Sequence, residues 1–163
     1  MITEIDDALF SDLLSKAEES PRRRAHHVFH QSHDELVQRL CIALRPGTYV
    51  RPHNHHVSGK WELLLVLRGR VELLEFADDG RLLSRRTLSA DSGLSAVELS
   101  ANTWHSLIPT GDEAVIMEVK QGPFAATAPE EFAAWSPEEG APEVASYLAW
   151  SAKAELGDVY RPN

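Results

Sequence analysis

Short apolar runs separated by turn residues fill the middle of the chain and predict β-strands. In residues 35–44, apolar side chains occupy both alternating sets of positions, which indicates a strand covered on both of its faces. Similar runs recur up to residue 119, and Asp79 and Gly80 give a strong hairpin signal between two of them. About eight or nine such strands with no helices between them predict a β-sandwich or barrel, and a jelly roll fits best.

Helical periodicity is confined to the two ends of the chain. One apolar stripe at helical spacing predicts a helix over residues 6–19, and it consists of Leu9, Phe10, Leu13, Leu14 and Ala17. Residues 142–155 predict a second helix, with Pro142 at its start. We therefore expect a single domain over residues 1–163, with an all-β core and both helices packed outside it. Residues 1–35 form the N-terminal helix and a basic, His-rich loop, residues 36–124 the β-barrel, and residues 125–163 a loop and the C-terminal helix.

Three histidines and a glutamate along the predicted strands have the spacing of a metal site. His53 and His55 are two residues apart, so on a strand their side chains point to the same side, whereas His56 points away. Glu62 opens the following apolar run, and His105 begins a later one. Imidazole and carboxylate groups bind Fe, Mn, Ni, Co, Cu or Zn, so these residues predict one divalent transition metal per chain without selecting the element.

The stretch from Gly47 to Gly69 resembles the first sequence motif of the cupins, although its gap before Glu62 is longer than in the usual form. His105 stands where the second cupin motif places its histidine. The rest of that second motif is degraded, with departures at Ser100, Asn102 and Pro109. The resemblance implies a cupin jelly-roll barrel that holds a metal through the three histidines and the glutamate.

Nearly the whole chain resembles the WbuC-type cupin-fold metalloproteins. The matching segments are residues 20–22, 29–30, 37–41, 46–55, 61–62, 103–105, 118–124 and 131–137. Proteins of this type are associated with bacterial O-antigen and polysaccharide gene clusters, so the resemblance implies a carbohydrate-linked role. It does not imply a particular reaction.

Composition places the chain among ordinary globular proteins. It has 163 residues, of which 43% are hydrophobic and 25% charged, with a formal net charge of −9 that argues against a general nucleic-acid binder. No basic leader and no apolar run of about 20 residues is visible, so we expect a cytoplasmic protein without a membrane segment. The single cysteine, Cys41, agrees with a reducing compartment and is expected to be a buried structural thiol.

A metal with four protein ligands and two open positions suits ligand binding or catalysis better than a purely structural role. Our first hypothesis is an enzyme that acts on a sugar or a sugar-derived anion, with the metal as Lewis acid. Arg39, Arg51 and Lys60 are predicted to contact the ligand, and His30 and Tyr49 are predicted catalytic residues that carry protons. The alternatives are a metal-dependent binding or regulatory module without turnover and an Fe(II)-dependent dioxygenase.

The most basic stretch of this acidic chain precedes the predicted barrel. Residues 22–24 are three consecutive arginines, and the His-rich segment that they begin, residues 22–33, is predicted either to close the metal pocket over an anionic ligand or to be a solvated turn.

A separate expectation concerns assembly. Exposed aromatic side chains at Trp61, Trp104 and Trp135 predict a homodimer.

Overall fold

The protein folds into one strongly bent antiparallel sheet with a helix at each end of the chain. This architecture is seen in a computed structural model that describes residues 2–91 and 93–161. The elements are α1 (Asp7–Glu19), β1 (Arg24–Val28), β2 (Val37–Leu44), β3 (Glu62–Phe76), β4 (Leu82–Ser89), β5 (Ala96–Leu99), β6 (Trp104–Gln121), a 3₁₀ turn (Pro129–Glu131) and α2 (Val144–Ser151).

Two long strands, β3 and β6, pair along their length and form the spine of the sheet. The sequence predicts a break in each of them, at residues 68–70 and 110–112, and this expectation is wrong. The chain stays in the sheet, and the pairing instead shifts register at Val66/Arg68 and at Gly69/Arg70. Bulges of this kind bend a strand without ending it. The described residues therefore form six strands instead of the eight or nine expected.

The bend brings two halves of the sheet face to face. The strand order is β1-β2-β6-β3-β4, with β5 on the first half of β3. Side chains from both halves meet in one apolar cluster, which includes Leu44, Leu64, Val71, Leu88 and Leu107. This is the closed β architecture that the alternating pattern predicts, with the helices outside it.

Helix α1 covers the outer face of the sheet. Its first turn is capped by Asp6, whose carboxylate accepts a hydrogen bond from the backbone N–H of Leu9 at 3.0 Å. Its apolar stripe packs against Cys41, Ala43 and Val115, while Ile42 and Leu44 on the same strand face the inner cluster. Strand β2 is therefore covered on both faces, and Cys41 is a fully buried free thiol whose pKa is raised to about 11 by burial.

The sequence predicts that the basic segment after α1 is a loop. This prediction is wrong, because part of the segment joins the sheet. Residues 24–28 form β1, which pairs antiparallel with β2 from Arg24 opposite Leu44 to Val28 opposite Leu40. This pairing fixes which basic side chains face the interior.

Within the described residues, no helix has the length and apolar character needed to cross a membrane.

The tryptophans differ in exposure from the expectation on which the homodimer rests. Trp61 is 37% exposed. Trp104 and Trp135 instead pack around Phe76 and Leu82, and the Trp104 indole N–H donates to Asp78 Oδ1 at 2.8 Å. The homodimer therefore stays a prediction, and it now rests on the face that carries Trp61.

Candidate metal centre

The predicted metal ligands come from three separate parts of the chain and meet at one point. His53 and His105 are paired through their backbones, with each N–H donating to the other's carbonyl at 3.1 and 2.9 Å. The backbone N–H of His55 donates to Ala101 O at 2.7 Å, and Glu62 is the first residue of β3. The segment that carries His53 and His55 is irregular rather than a full strand, yet these pairings turn both imidazoles to the same side.

The ligand atoms of His53, His55, Glu62 and His105 all lie within 4.8 Å of one another, which would allow the four residues to hold a metal ion. The two oxygens of Glu62 face different histidines, with Oε1 2.9 Å from His55 Nε2 and Oε2 3.3 Å from His105 Nε2. Glu62 and His105 are each only 3% exposed. The cluster is therefore a compact, mostly enclosed set of three nitrogens and one carboxylate.

The hydrogen bonds around the imidazoles leave Nε2 as the inward-facing atom that can bind a metal. Nδ1 of His53 lies 2.9 Å from Arg51 O, and Nδ1 of His105 lies 2.9 Å from Thr103 O. A carbonyl only accepts, so each Nδ1 carries the hydrogen and each Nε2 keeps its lone pair. His55 Nε2 is buried and, although close to Glu62, makes no hydrogen bond of acceptable geometry. An unsatisfied buried nitrogen that points at a carboxylate is what a metal ligand looks like without its ion.

Electrostatics favour the ligand forms of His53 and Glu62. For His105, burial opposes protonation, but the contact with Glu62 outweighs it and raises the pKa of this imidazole. Burial lowers the pKa of His53 to about 3, helped by the neighbouring His105, so this imidazole is neutral. Burial opposes ionisation of Glu62, but the neighbouring His105 and His55 outweigh it and hold the pKa of this carboxyl well below its usual range. A neutral imidazole and an ionised carboxylate are the states that bind a cation.

Two cavities adjoin the cluster and meet at Glu62. The smaller, about 250 Å³, extends into the barrel past His53 and His105, and its walls include Arg24, Arg51 and Glu118. The larger, about 430 Å³, lies on the side of His55 and includes Gln38, Lys60 and Lys120. Both cavities share Arg22, Glu62, Thr127 and Phe132. A ligand at the cluster would therefore have room on either side.

The basic segment contributes alternate residues to the smaller cavity. Arg22 makes a bidentate pair with Glu139, at 2.7 and 2.8 Å, and Arg24 Nη2 lies 3.0 Å from the same carboxylate. Arg23 has a positive φ of 57° and turns away to Glu18. His26 also lines this cavity. The segment thus reaches the pocket through β1, and its proposed closing role concerns Arg22 and Arg24 rather than all three arginines.

The two predicted catalytic residues do not lie at the cluster, which corrects their expected position. His30 accepts a hydrogen bond through Nδ1 from the Arg39 backbone N–H at 3.1 Å, a contact that joins two segments of backbone. The Tyr49 hydroxyl donates to Pro137 O at 2.8 Å, and its ring packs 5.3 Å from that of Tyr147. Burial raises the pKa of Tyr49 to about 12, and the contact of its hydroxyl is with a backbone carbonyl.

Two of the three predicted ligand-contacting residues line a cavity beside the cluster. Arg51 lines the smaller cavity and Lys60 the larger. Arg39 instead pairs with Glu35 four residues earlier and lines neither of the two cavities in the part of the chain that the structure describes. Arg39 is therefore a surface ion pair rather than a ligand contact.

Sequence reasoning missed a charged pair on β6 beside the cluster. Lys120 lies directly opposite Glu62 in the sheet, with Nζ 3.5 Å from Glu62 Oε1 and 2.6 Å from Glu118 Oε1. Burial, with the charge of Glu62 second, raises the pKa of Glu118. The sequence contains a signal for this pair. Ile116, Glu118 and Lys120 are spaced two residues apart, so they share one face of a strand whose apolar side chains point inward.

Sequence reasoning also missed Glu131, which holds the loop of His55 in place. This side chain is 2% exposed and accepts hydrogen bonds from three backbone N–H groups, those of Val57 at 3.0 Å, Ser58 at 3.2 Å and Ala128 at 2.9 Å. Its own carbonyl accepts from Asn54 N at 2.9 Å. Residues 128–133 therefore tie the loop after His55 to the C-terminal part of the chain.

Replacing Glu131 with glutamine is expected to lower the free energy of unfolding by about 2–3 kcal/mol, because an amide NH₂ cannot accept from a backbone N–H. Burial opposes ionisation of this carboxyl, but the backbone donors outweigh it and its pKa is lowered from 4.5. The stabilisation is thus present above pH 4.5 and is lost as pH falls through the lower value of the folded state. Urea unfolding at pH 7 and at acidic pH measures both effects.

The exposed neighbour Glu130 provides the matched control, because Glu130→Gln changes the same charge without buried contacts. We expect Glu130→Gln to unfold like the original protein at both pH values. Equal unfolding free energies for Glu131→Gln and Glu130→Gln at pH 7 would show that the three backbone contacts do not stabilise this loop.

Comparisons with known proteins agree with the fold. A family model described as Domain of unknown function (DUF6016) matches residues 5–88. A cupin 2 domain-containing protein from Halorhodospira halophila is 14% identical, with 83% of this chain and 85% of that chain covered and a TM-score of 0.51. No curated protein matches the sequence.

Two further solved structures share the fold over part of their length. The capsular polysaccharide assembling protein CapF from Staphylococcus aureus is 19% identical, over 66% of this chain and 28% of that chain, with a TM-score of 0.51. An oxalate oxidase is 22% identical, over 72% of this chain and 61% of that chain, with a TM-score of 0.50. At these identities the likeness concerns the fold alone, which is a cupin β-barrel with flanking helices.

Proposed function

Because the chain belongs to DUF6016, a family described as a domain of unknown function, we propose its function from the chemistry of its own site. The protein binds one divalent transition metal through His53, His55, Glu62 and His105 and uses it to bind a sugar-derived anion. These four side chains converge beside a cavity whose Arg51 has no carboxylate partner in the described part of the chain, and this is the observation that carries the proposal.

Arg51 is the cationic group that the smaller cavity offers to an anion. Its guanidinium lies over the Phe132 ring at 5.1 Å and makes only long hydrogen bonds, to Ser136 Oγ at 3.3 Å and Ala133 O at 3.4 Å. Among the described residues, no carboxylate lies within ion-pair distance of it, whereas Arg22 and Arg24 share Glu139. An oriented guanidinium without a counter-ion is suited to bind a carboxylate.

Metal and arginine together favour a ligand with a carboxylate and neighbouring oxygens. When bound, a divalent metal acts as a Lewis acid that polarises a coordinated oxygen. Arg51 precedes His53 by two residues, and its carbonyl accepts the hydrogen bond that orients the imidazole. The same short segment thus positions a metal ligand and an anion contact. The resemblance to WbuC-type proteins supports a sugar-derived ligand linked to surface polysaccharide.

A metal-dependent binding module without turnover is the second candidate. The positions of His30 and Tyr49 favour it, because the two residues expected to carry protons lie away from the cluster. An Fe(II)-dependent dioxygenase uses the same ligands, and oxygen uptake by iron-loaded protein on addition of a sugar acid distinguishes it from the other two.

Replacing Arg51 with methionine is expected to weaken binding of glucuronate to the Mn²⁺-loaded protein by about tenfold or more, because a charge-assisted contact is lost. Titration calorimetry measures the change. The matched control is Arg39→Met, which removes an arginine outside the two cavities and should leave the affinity unchanged. Equal affinities for the two variants would remove Arg51 from the site.

A further inference from the structure

The larger cavity contains a buried side chain that the metal cluster does not explain. Gln38, on β2, is 1% exposed and lines this cavity. Its Nε2 donates to Glu35 O at 2.7 Å and His33 O at 3.2 Å. Both partners are carbonyls, which only accept, so the amide nitrogen must face them and Oε1 must point elsewhere.

Gln38 Oε1 is buried and has no hydrogen-bond partner among the residues that the structure describes. Buried polar atoms in folded proteins are nearly always paired, and an unpaired acceptor on a residue that lines a cavity indicates that a ligand or water supplies the donor. The missing donor must be an O–H or N–H group, because Oε1 can only accept.

Ammonium groups in the same cavity require the opposite partner. Lys120, whose side chain is 25% exposed, points to Glu118 and Glu62, and Lys60 donates to Pro123 O. Each ammonium has three hydrogens and therefore keeps donors for a further oxygen. A sugar hydroxyl meets both requirements, because it donates one hydrogen and accepts through its lone pairs.

We propose that the larger cavity, about 430 Å³, is a subsite for the hydroxylated ring of a sugar acid whose acidic group lies at the metal and Arg51. This inference rests on the proposed function and adds what the metal cluster cannot specify. We expect the site to select a polyhydroxylated acid over a short hydroxy acid, because only the former carries further hydroxyls for Gln38 and the lysines that line this cavity.

The test compares two probes on the Mn²⁺-loaded full chain by titration calorimetry, with glucuronate carrying the ring hydroxyls and glycolate lacking them. We expect the original protein to bind glucuronate more tightly. Gln38→Met should weaken glucuronate binding by about tenfold, the effect of one hydrogen bond to a buried acceptor, and leave glycolate binding unchanged. Gln31→Met, at an exposed position, is the control and should change neither affinity.

The remaining outcomes separate this inference from the function on which it rests. Equal affinity of the original protein for the two probes would overturn the subsite and leave metal-dependent anion binding intact, and this comparison needs no folded variant. Unchanged glucuronate affinity in Gln38→Met, or an equal loss for both probes, would also overturn it. If the original protein binds neither probe, the proposed function fails and the subsite with it.

Discussion

Bound metal is expected to fall at least about tenfold when any one of the four clustered side chains is replaced with alanine, since even the loss of a residue that only orients a ligand costs that much. The four side chains are His53, His55, Glu62 and His105. Loss of Glu62 should have the largest effect, because it supplies the cluster's only negative charge and faces two of the histidines. Metal analysis of each purified variant after dialysis measures the effect.

His56→Ala is the matched control for this series. His56 is exposed and its Nδ1 lies 2.7 Å from Asn54 Oδ1, outside the cluster. The variant should therefore keep its metal. Loss of metal in His56→Ala together with retention in His55→Ala would contradict the assignment of ligands in this segment.

Gly69→Ala is expected to lower the free energy of unfolding by at least about 3 kcal/mol. Gly69 has a φ of 72°, and a Cβ there would lie 2.2 Å from the backbone oxygen of Glu113. That oxygen belongs to the facing strand, so relief of the clash would separate β3 from β6 where the sheet bends. Chemical denaturation of the two proteins measures the difference.

Gly111→Ala isolates the contribution of the clash. Gly111 also has a positive φ, of 85°, but nothing lies within 4 Å of a Cβ at this position. Its replacement should cost only the conformational strain, about 1 kcal/mol. If the two alanine variants unfold alike, the close approach of the strands at Gly69 does not constrain the fold.

Two of the metal ligands could be predicted from sequence because their spacing is local. His53 and His55 lie two residues apart, and this spacing places both imidazoles on one side of any extended segment. The segment is irregular rather than a regular strand, and the same geometry follows from its pairing with His105 and Phe132. Local alternation was therefore sufficient for these two histidines, whereas Glu62 and His105 were assigned from the cupin-like spacing of the sequence.

The groups around the metal could not be predicted because they depend on contacts between distant segments. Glu131 supports the loop after His55 from 74 residues away, and Arg22 meets Glu139 across 117 residues. No local pattern specifies such pairs. His30, Tyr49 and Arg39 lie near the ligands in sequence or in the family resemblance, but their side chains make other contacts.

The number of strands was overestimated for a related reason. Gly69 and Gly111 are typical turn residues, and in a strand pattern a glycine predicts either a turn or a bulge. Only the pairing of β3 with β6 decides between these alternatives. The bulges keep each strand continuous across both halves of the sheet, which places Glu62 and His105 at the same end of the barrel.

Anomalous diffraction from crystals of the Mn²⁺-loaded protein tests the central claim most directly. The predicted result is one strong peak per chain, within about 2.0–2.3 Å of the three histidine Nε2 atoms and a Glu62 oxygen. A peak at another position, or no peak between these side chains in crystals that contain the metal by chemical analysis, would contradict it.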